Sequence, residues 1–298
     1  MVKRRNFVKT TSIAASGSLI FPAVACSQKD KKSKELNTAP PEVAKRMEPG
    51  LQVYSVRNQL KEDFAGSMKK IADIGYKLIE GYGLGLDGKF LGTISPGDYK
   101  KTVSDLGMKL VASHCGYFKH EDASGMIDAA KRAGLEYLII PGIPGDIRKT
   151  IDDYKAIADN FNRIGEQCKA AGLKFGYHNH AFEFEVIDGQ LPQEVLMAET
   201  QTDLVAFEAD LFWCYVGGYD AVKLIEKFPG KVHLFHVKDA TPEKREATVG
   251  QGVIDFKSIF DAGKASGLRY YFVEDERTDD PFANVRADYD YMIAQDFA

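Results

Sequence analysis

Cysteine is scarce in this chain, and its placement excludes the uses that need it in pairs. The four residues, Cys26, Cys115, Cys168 and Cys214, form no CxxC step, so neither a thiolate zinc site nor a dithiol redox motif follows from their spacing. With Cys26 assigned to an N-terminal targeting segment, an odd three remain in apolar or helical surroundings. That argues against a disulfide framework and for buried free thiols. Tryptophan occurs once, as Trp213, and aromatic surface comes instead from 14 Tyr and 18 Phe. No GxGxxG follows the first strand-like run, and neither a Gly-rich phosphate cradle nor an Arg cluster accompanies the last ones. Positive charge is not in excess: the net charge is −4, and without residues 1–26 it is −8, from 35 basic and 43 acidic side chains. An acidic body excludes nucleic acid or an anionic membrane surface as the main partner and fits an enzyme of neutral small molecules.

Residues 1–26 hold four basic side chains, Lys3, Arg4, Arg5 and Lys9, and no acid. The apolar run Thr10–Ala25 is too short and too rich in Ser and Thr to span a bilayer, so the segment reads as a secretory signal. Its paired arginines before Asn6-Phe7-Val8-Lys9 resemble a twin-arginine signal, and Ala23-Val24-Ala25-Cys26 resembles a bacterial lipobox with Ala where Leu is commoner. The resemblance implies cleavage before Cys26, a lipid on its sulfur, and a periplasmic protein that meets the membrane only through that anchor. Residues 27–45 lack apolar periodicity and read as a flexible tether. Residues 46–298 read as one domain, with folded structure expected from near Met47.

From Leu51 onward a unit recurs: an amphipathic helix, a glycine, a short apolar strand. The glycines are Gly75, Gly107, Gly134, Gly172, Gly230 and Gly267, at spacings of 32, 27, 38, 58 and 37. Glycine closes a helix in the left-handed conformation without steric cost. The strands that follow are Tyr76–Glu80, Met108–Ser113, Leu135–Pro141, Leu173–His178, Lys231–His236 and Leu268–Glu274. They are continuous apolar runs, as parallel strands covered on both faces must be. The long spacing holds a strand without a glycine, Leu204–Asp210, and Leu51–Ser55 adds one at the front. Eight βα units in this length predict an α/β fold of (β/α)8 TIM-barrel type. A doubly wound open sheet is the other arrangement such alternation allows, and the missing GxGxxG counts against it.

The repeat also supplies a register. Glu80 stands five residues after its glycine, His178 and His236 six, His114 and Glu274 seven, and Asp210 ends the strand that has none. His114, His178, His180 and His236, with Glu80, Asp210 and Glu274, therefore converge at the strand carboxyl ends, where barrels place active sites. Buried carboxylates are costly unless paired or bound to a cation, so the cluster predicts one divalent metal ion. Oxygen and imidazole donors suit Mn, Mg, Co or Zn without choosing among them. His233 lies at an odd offset from His236 and is expected on the other face as a structural residue. His120 falls in the loop after the third strand, as a surface or lid residue. Glu80 is either paired with a Lys or Arg at the mouth or functional.

At these residues the chain resembles the xylose isomerase-like barrels of the sugar phosphate isomerase/epimerase type, over roughly Leu51 to Tyr291. The resemblance rests on Leu51-Gln52-Val53-Tyr54-Ser55-Val56-Arg57, Tyr177-His178-Asn179-His180, Glu208-Ala209-Asp210, His236-Val237-Lys238-Asp239 and Val249-Gly250-Gln251-Gly252-Val253-Ile254-Asp255. It implies a cation held by a Glu, an Asp, a His and a second Glu, of which Asp210, His236 and Glu274 match the last three. Where the first Glu is expected this chain has His178: either the imidazole replaces it or a water completes the shell. The expected chemistry is sugar isomerisation or epimerisation of a hydroxy-ketone or keto-sugar through an enediolate. Glu274 serves as ligand and base, His180 or Glu183 as opposing acid/base, and Tyr54, Glu80, His114 and Lys238 bind substrate. The same chemistry allows a lyase or hydratase acting on a 3-keto-glycoside. A lipid-tethered sugar-binding protein is the non-catalytic alternative. The oligomeric state stays open, a homo-oligomer included.

Overall fold

Helices that end on a glycine and strands that begin just after it build the molecule, and the computed structural model describes this for residues 46–298. The expected signal, the tether and the lipidation site at Cys26 lie outside the described residues. Eight parallel strands close a barrel: β1 (Gly50–Gln52), β2 (Leu78–Leu84), β3 (Lys109–Cys115), β4 (Tyr137–Ile140), β5 (Lys174–His178), β6 (Val205–Asp210), β7 (Val232–Val237) and β8 (Tyr270–Val273). Strands adjacent in sequence are adjacent in the sheet, and β1 pairs with both β2 and β8. The connecting helices are α1 (Phe64–Ile74), α2 (Pro96–Asp105), α3 (Ala123–Ala133), α4 (Ile151–Ala170), α5 (Pro192–Glu199), α6 (Ala221–Lys227), α7 (Phe256–Ser266) and α8 (Pro281–Ala294). The predicted (β/α)8 barrel is thus the observed architecture. Among the described residues no helix is long and apolar enough to cross a membrane.

All six periodic glycines have positive φ, between 72° and 125°. Strands start two or three residues after them rather than at once, and the reason is local. Met108, Leu135, Leu173 and Leu268 each follow such a glycine and donate their backbone N–H back to Val103, Ala130, Cys168 and Gly263, carbonyls of the preceding helix or its last turn. They finish the helix before the strand can begin. The first strand is also shorter than the expected Leu51–Ser55, because Val53–Val56 turn into a 3-10 helix.

Inside the barrel, period two along each strand stacks an apolar floor beneath a polar mouth. Val111, Tyr137, Ile139, Ala206, Leu234 and Phe272 form the floor. Further along the same strand faces come Glu208 and then Asp210 on β6, and His236 on β7. A small ribbon, Asp239–Ala240 with Glu246–Ala247, follows β7. From it Asp239 accepts the backbone N–H groups of Ala240, Gly250, Gly252 and Ile254 at 2.8–3.2 Å. Glycine is obligatory at 252: a Cβ there would lie 2.2 Å from Asp239 Oδ1 and 2.4 Å from the Ala240 carbonyl oxygen.

Candidate active site and metal centre

The barrel register sets the candidate residues side by side. Asp210 is the cross-strand partner of His236, and His178 of Glu208; Glu274 follows the last residue of β8. His178, Glu208, Asp210, His236 and Glu274 are all buried. Ligand-bearing atoms of Asp210, His236 and Glu274 lie within 4.8 Å of one another, and so do those of His114, His178, Glu208 and His236. His236 belongs to both groups and separates them. Its Nδ1 faces Glu274 Oε2 at 3.1 Å and Asp210 Oδ2 at 3.8 Å; its Nε2 faces Glu80 Oε2 at 2.6 Å and Glu208 Oε2 at 3.2 Å.

Asp210 shows what this arrangement requires. Oδ1 accepts the Trp213 backbone N–H at 2.8 Å, and the Asp210 N–H donates to Asn179 Oδ1 at 3.1 Å. Oδ2 is buried and has no hydrogen-bond partner, while His178 Nε2 stands 3.8 Å away. Burial raises the Asp210 carboxyl to about 7. An unpartnered carboxylate oxygen facing imidazole nitrogens in a sealed position fits a divalent cation, which supplies the missing charge. The donor set, carboxylates and imidazoles without thiolate, fits a catalytic rather than a structural site.

The remaining expected residues divide between the cavity and its supports. A cavity of about 450 Å³ opens above the cluster, lined among others by Tyr54, His114, His178, His180, Trp213 and Glu274. Among the described residues, Glu80 and Lys238 are not part of that lining. Glu80 is 0% exposed and its partner is His236, neither Lys nor Arg. Lys238 is buried and pairs with Glu274 (3.3 Å) and with Glu276. Glu183 also lies away from the lining: one carboxylate oxygen takes the Tyr177 hydroxyl and the other the His180 backbone N–H at 2.9 Å. It shapes the His180 loop instead of facing the cavity. The reach of Tyr177 from β5 decides this, and sequence spacing does not show it. His180 itself lines the cavity beside Trp213, ring centroids 5.4 Å apart, and burial lowers its pKa to about 4, so it is neutral near pH 7. His233 meets the Tyr137 hydroxyl at 3.3 Å, and His120 is held by Asn160; neither joins the cluster.

Glu208 escaped the sequence reading as a site residue, although period two back from Asp210 points to it. Glu276, which lines the cavity with Tyr82, lies beyond β8 in irregular chain, where no periodicity marks it.

The profile of the xylose isomerase-like TIM barrel family matches residues 68–295. The chain belongs to this family. Among solved structures it is similar to a sugar phosphate isomerase/epimerase from Parabacteroides distasonis, 28% identical, with a TM-score of 0.77 over 88% of this chain and 99% of that one. Among curated relatives it is similar to an inosose dehydratase from Clostridium perfringens, 26% identical over 151 residues, which cover 45% of this chain and 50% of the relative. The chain spans about half the length of the curated relatives it matches. At 16% identity it shares the fold of the IolI protein, whose crystal structure contains a zinc atom (TM-score 0.66, over 83% of this chain and 97% of that one).

Proposed function

We propose that this family member is a divalent-metal-dependent enzyme that removes a proton next to the carbonyl of an uncharged hydroxy-ketone, a keto-sugar or a cyclic polyol ketone. The observation that carries the reading is Asp210 Oδ2, buried and unpartnered among His178, His236 and Glu274, two of which, His178 and Glu274, line the cavity. His178, Asp210, His236 and Glu274 would hold the ion, His178 taking the place of the carboxylate expected from the family resemblance. Two imidazoles in the set favour Zn, Co or Mn over Mg. When bound, the cation polarises the substrate carbonyl and offsets the charge that develops as the neighbouring C–H ionises.

The chain's own groups do the rest. Glu274 stands at the cavity edge as the base, with Lys238 stabilising its ionised form. His180, neutral and with Nδ1 free of a partner, is the second proton carrier. Tyr54 and Trp213 offer aromatic faces for a sugar ring, and His114 a donor to its hydroxyls. Among the described residues neither Lys nor Arg lines the cavity, whereas Glu274 and Glu276 do, and that lining disfavours a phosphate monoester.

Two fates of the deprotonated ketone fit the names of the relatives. Return of the proton to the other face of the same carbon gives an epimer, and its delivery to the former carbonyl carbon gives an isomer; loss of a β-hydroxyl as water, with a proton from the second carrier, gives a dehydrated enone. Incubation of the metal-loaded protein with inosose and with 3-keto-glucosides in D2O separates them. Deuterium in recovered ketone or epimer supports the isomerase/epimerase, and growth of enone absorption supports the lyase. A protein that takes up no divalent ion, or binds these ketones without exchange or elimination, would sink the proposal.

A further inference from the structure

Beneath Asp210 and Glu274 lies a second layer of charge that the reaction does not touch. Glu80 and Glu208 are both 0% exposed. Glu208 Oε2 bonds His114 Nε2 at 2.8 Å and lies 3.2 Å from His236 Nε2 and 3.3 Å from His178 Nδ1, the last off the line of an aligned hydrogen bond. These four residues do not surround a cation position of their own. Three nitrogens converge on a single carboxylate oxygen, and that oxygen occupies the centre.

The nitrogens that face Glu208 are the ones turned away from Asp210. With Nε2 of His236 directed at Glu80 and Glu208, its Nδ1 is left facing Glu274 and Asp210. With Nδ1 of His178 directed at Glu208, its Nε2 is left 3.8 Å from Asp210 Oδ2. A neutral imidazole that keeps its proton toward a carboxylate presents its lone pair on the opposite nitrogen. Glu80 reaches only one of these two histidines at hydrogen-bonding distance; Glu208 lies beside both.

We propose that Glu208 is the positioning residue of the metal centre. Its charge beside both rings, with Glu80 taking the His236 hydrogen bond, favours the protons of His178 and His236 on the side away from Asp210, so that His178 Nε2 and His236 Nδ1 face the cation. It also places behind the ligands a negative charge that the two neutral imidazoles lack. This inference rests on the metal reading above.

The test compares the parent protein, Glu208→Gln and the double variant His178→Glu/Glu208→Gln. Two quantities are measured: the dissociation constant for Zn(II), by competition with a chromophoric chelator, and the visible spectrum of the Co(II)-loaded form. Glu208→Gln is expected to bind about 10–100-fold more weakly and to change the Co(II) bands. The double variant, which moves the carboxylate from behind the ligands into the ligand set, is expected to recover to within a few-fold of the parent. A merely structural role predicts no such recovery. Parental affinity and an unchanged spectrum in Glu208→Gln overturn the proposal, as does a double variant no better than the single one. If Glu208→Gln does not fold, the double variant decides: folded and metal-binding supports the proposal, folded without metal overturns it. A parent that binds no divalent ion overturns the metal reading itself, whereas a parent and a Glu208→Gln variant that bind equally overturn only the role of Glu208.

Discussion

Glu183 is a carboxylate with no exposed surface and, among the described residues, no ion pair, held by the Tyr177 hydroxyl and the His180 N–H. Burial raises its pKa from 4.5 to about 7, against the opposing pull of those hydrogen bonds. The unfolded chain therefore loses this proton near 4.5 while the folded chain keeps it to about 7. Between those values the unfolded state binds fewer protons, so stability is greatest at low pH and falls as pH rises through the window. At about 1.4 kcal/mol per unit, the loss from this one group is on the order of 3 kcal/mol. Glu183→Gln cannot titrate. In urea unfolding with chelator present, the variant should lose this part of the pH slope, so that the parent-minus-variant difference falls by about 3 kcal/mol between pH 4.5 and 7 and is constant above about pH 7. A variant with the parent's slope refutes the assignment. At this scale the sequence was legible wherever one strand decides a side chain's direction: Asp210, His236 and Glu274 meet as the register predicts. Glu208 and Glu183 were not, because their roles depend on histidines from three strands and on the reach of a tyrosine. Glu274 gives the catalytic counterpart. Glu274→Gln should lower the deuterium-exchange rate by about 10²–10⁴-fold, as read by NMR of the substrate C–H, and an unchanged rate would assign the base elsewhere.

Among the elements, the segment after β7 depends most on one side chain. Four backbone N–H groups converge on the Asp239 carboxylate, which is buried. Asp239→Ala leaves them without an acceptor, and each unmade bond to a buried charged group is costly. We expect a loss of about 3 kcal/mol, a fall in melting temperature of roughly 5–10 °C by calorimetry. Gly252→Ala should act in the same direction, since its methyl would overlap the same carboxylate; melting temperatures equal to the parent's would contradict this account of the loop. The Val249–Asp255 motif was visible in the sequence, but its physical reason was not, because Asp239 and the loop meet only once the ribbon has formed. Element ends were legible in kind and not in position. The glycines marked six of the turns, yet the residue after four of them still belongs to the helix's hydrogen bonding.

For the whole molecule, the barrel buries four carboxylates, Glu80, Glu208, Asp210 and Glu274, at one end of its interior. The glycine repeat made this architecture legible without any side-chain detail, since eight βα units in this length predict a closed barrel with a common mouth. The energetic consequence was not legible, because it depends on which oxygens find partners. His236, His114 and His178 hold Glu208 well below the carboxylate range although burial alone would raise it. Asp210, by contrast, is raised to about 7, with Oδ2 unpartnered. An ion that binds only the folded protein stabilises it by mass action, about 2.7 kcal/mol at a free concentration 100-fold above its dissociation constant. For a domain of this size that corresponds to a rise of roughly 5–10 °C in melting temperature. Metal-loaded protein should therefore melt that much above the chelated form, while Asp210→Asn and His236→Ala, folded by circular dichroism, should melt alike with and without the ion. Equal melting of loaded and chelated parent would mean that the buried carboxylates are neutralised by protons and imidazoles alone, and the metal centre would have to be abandoned.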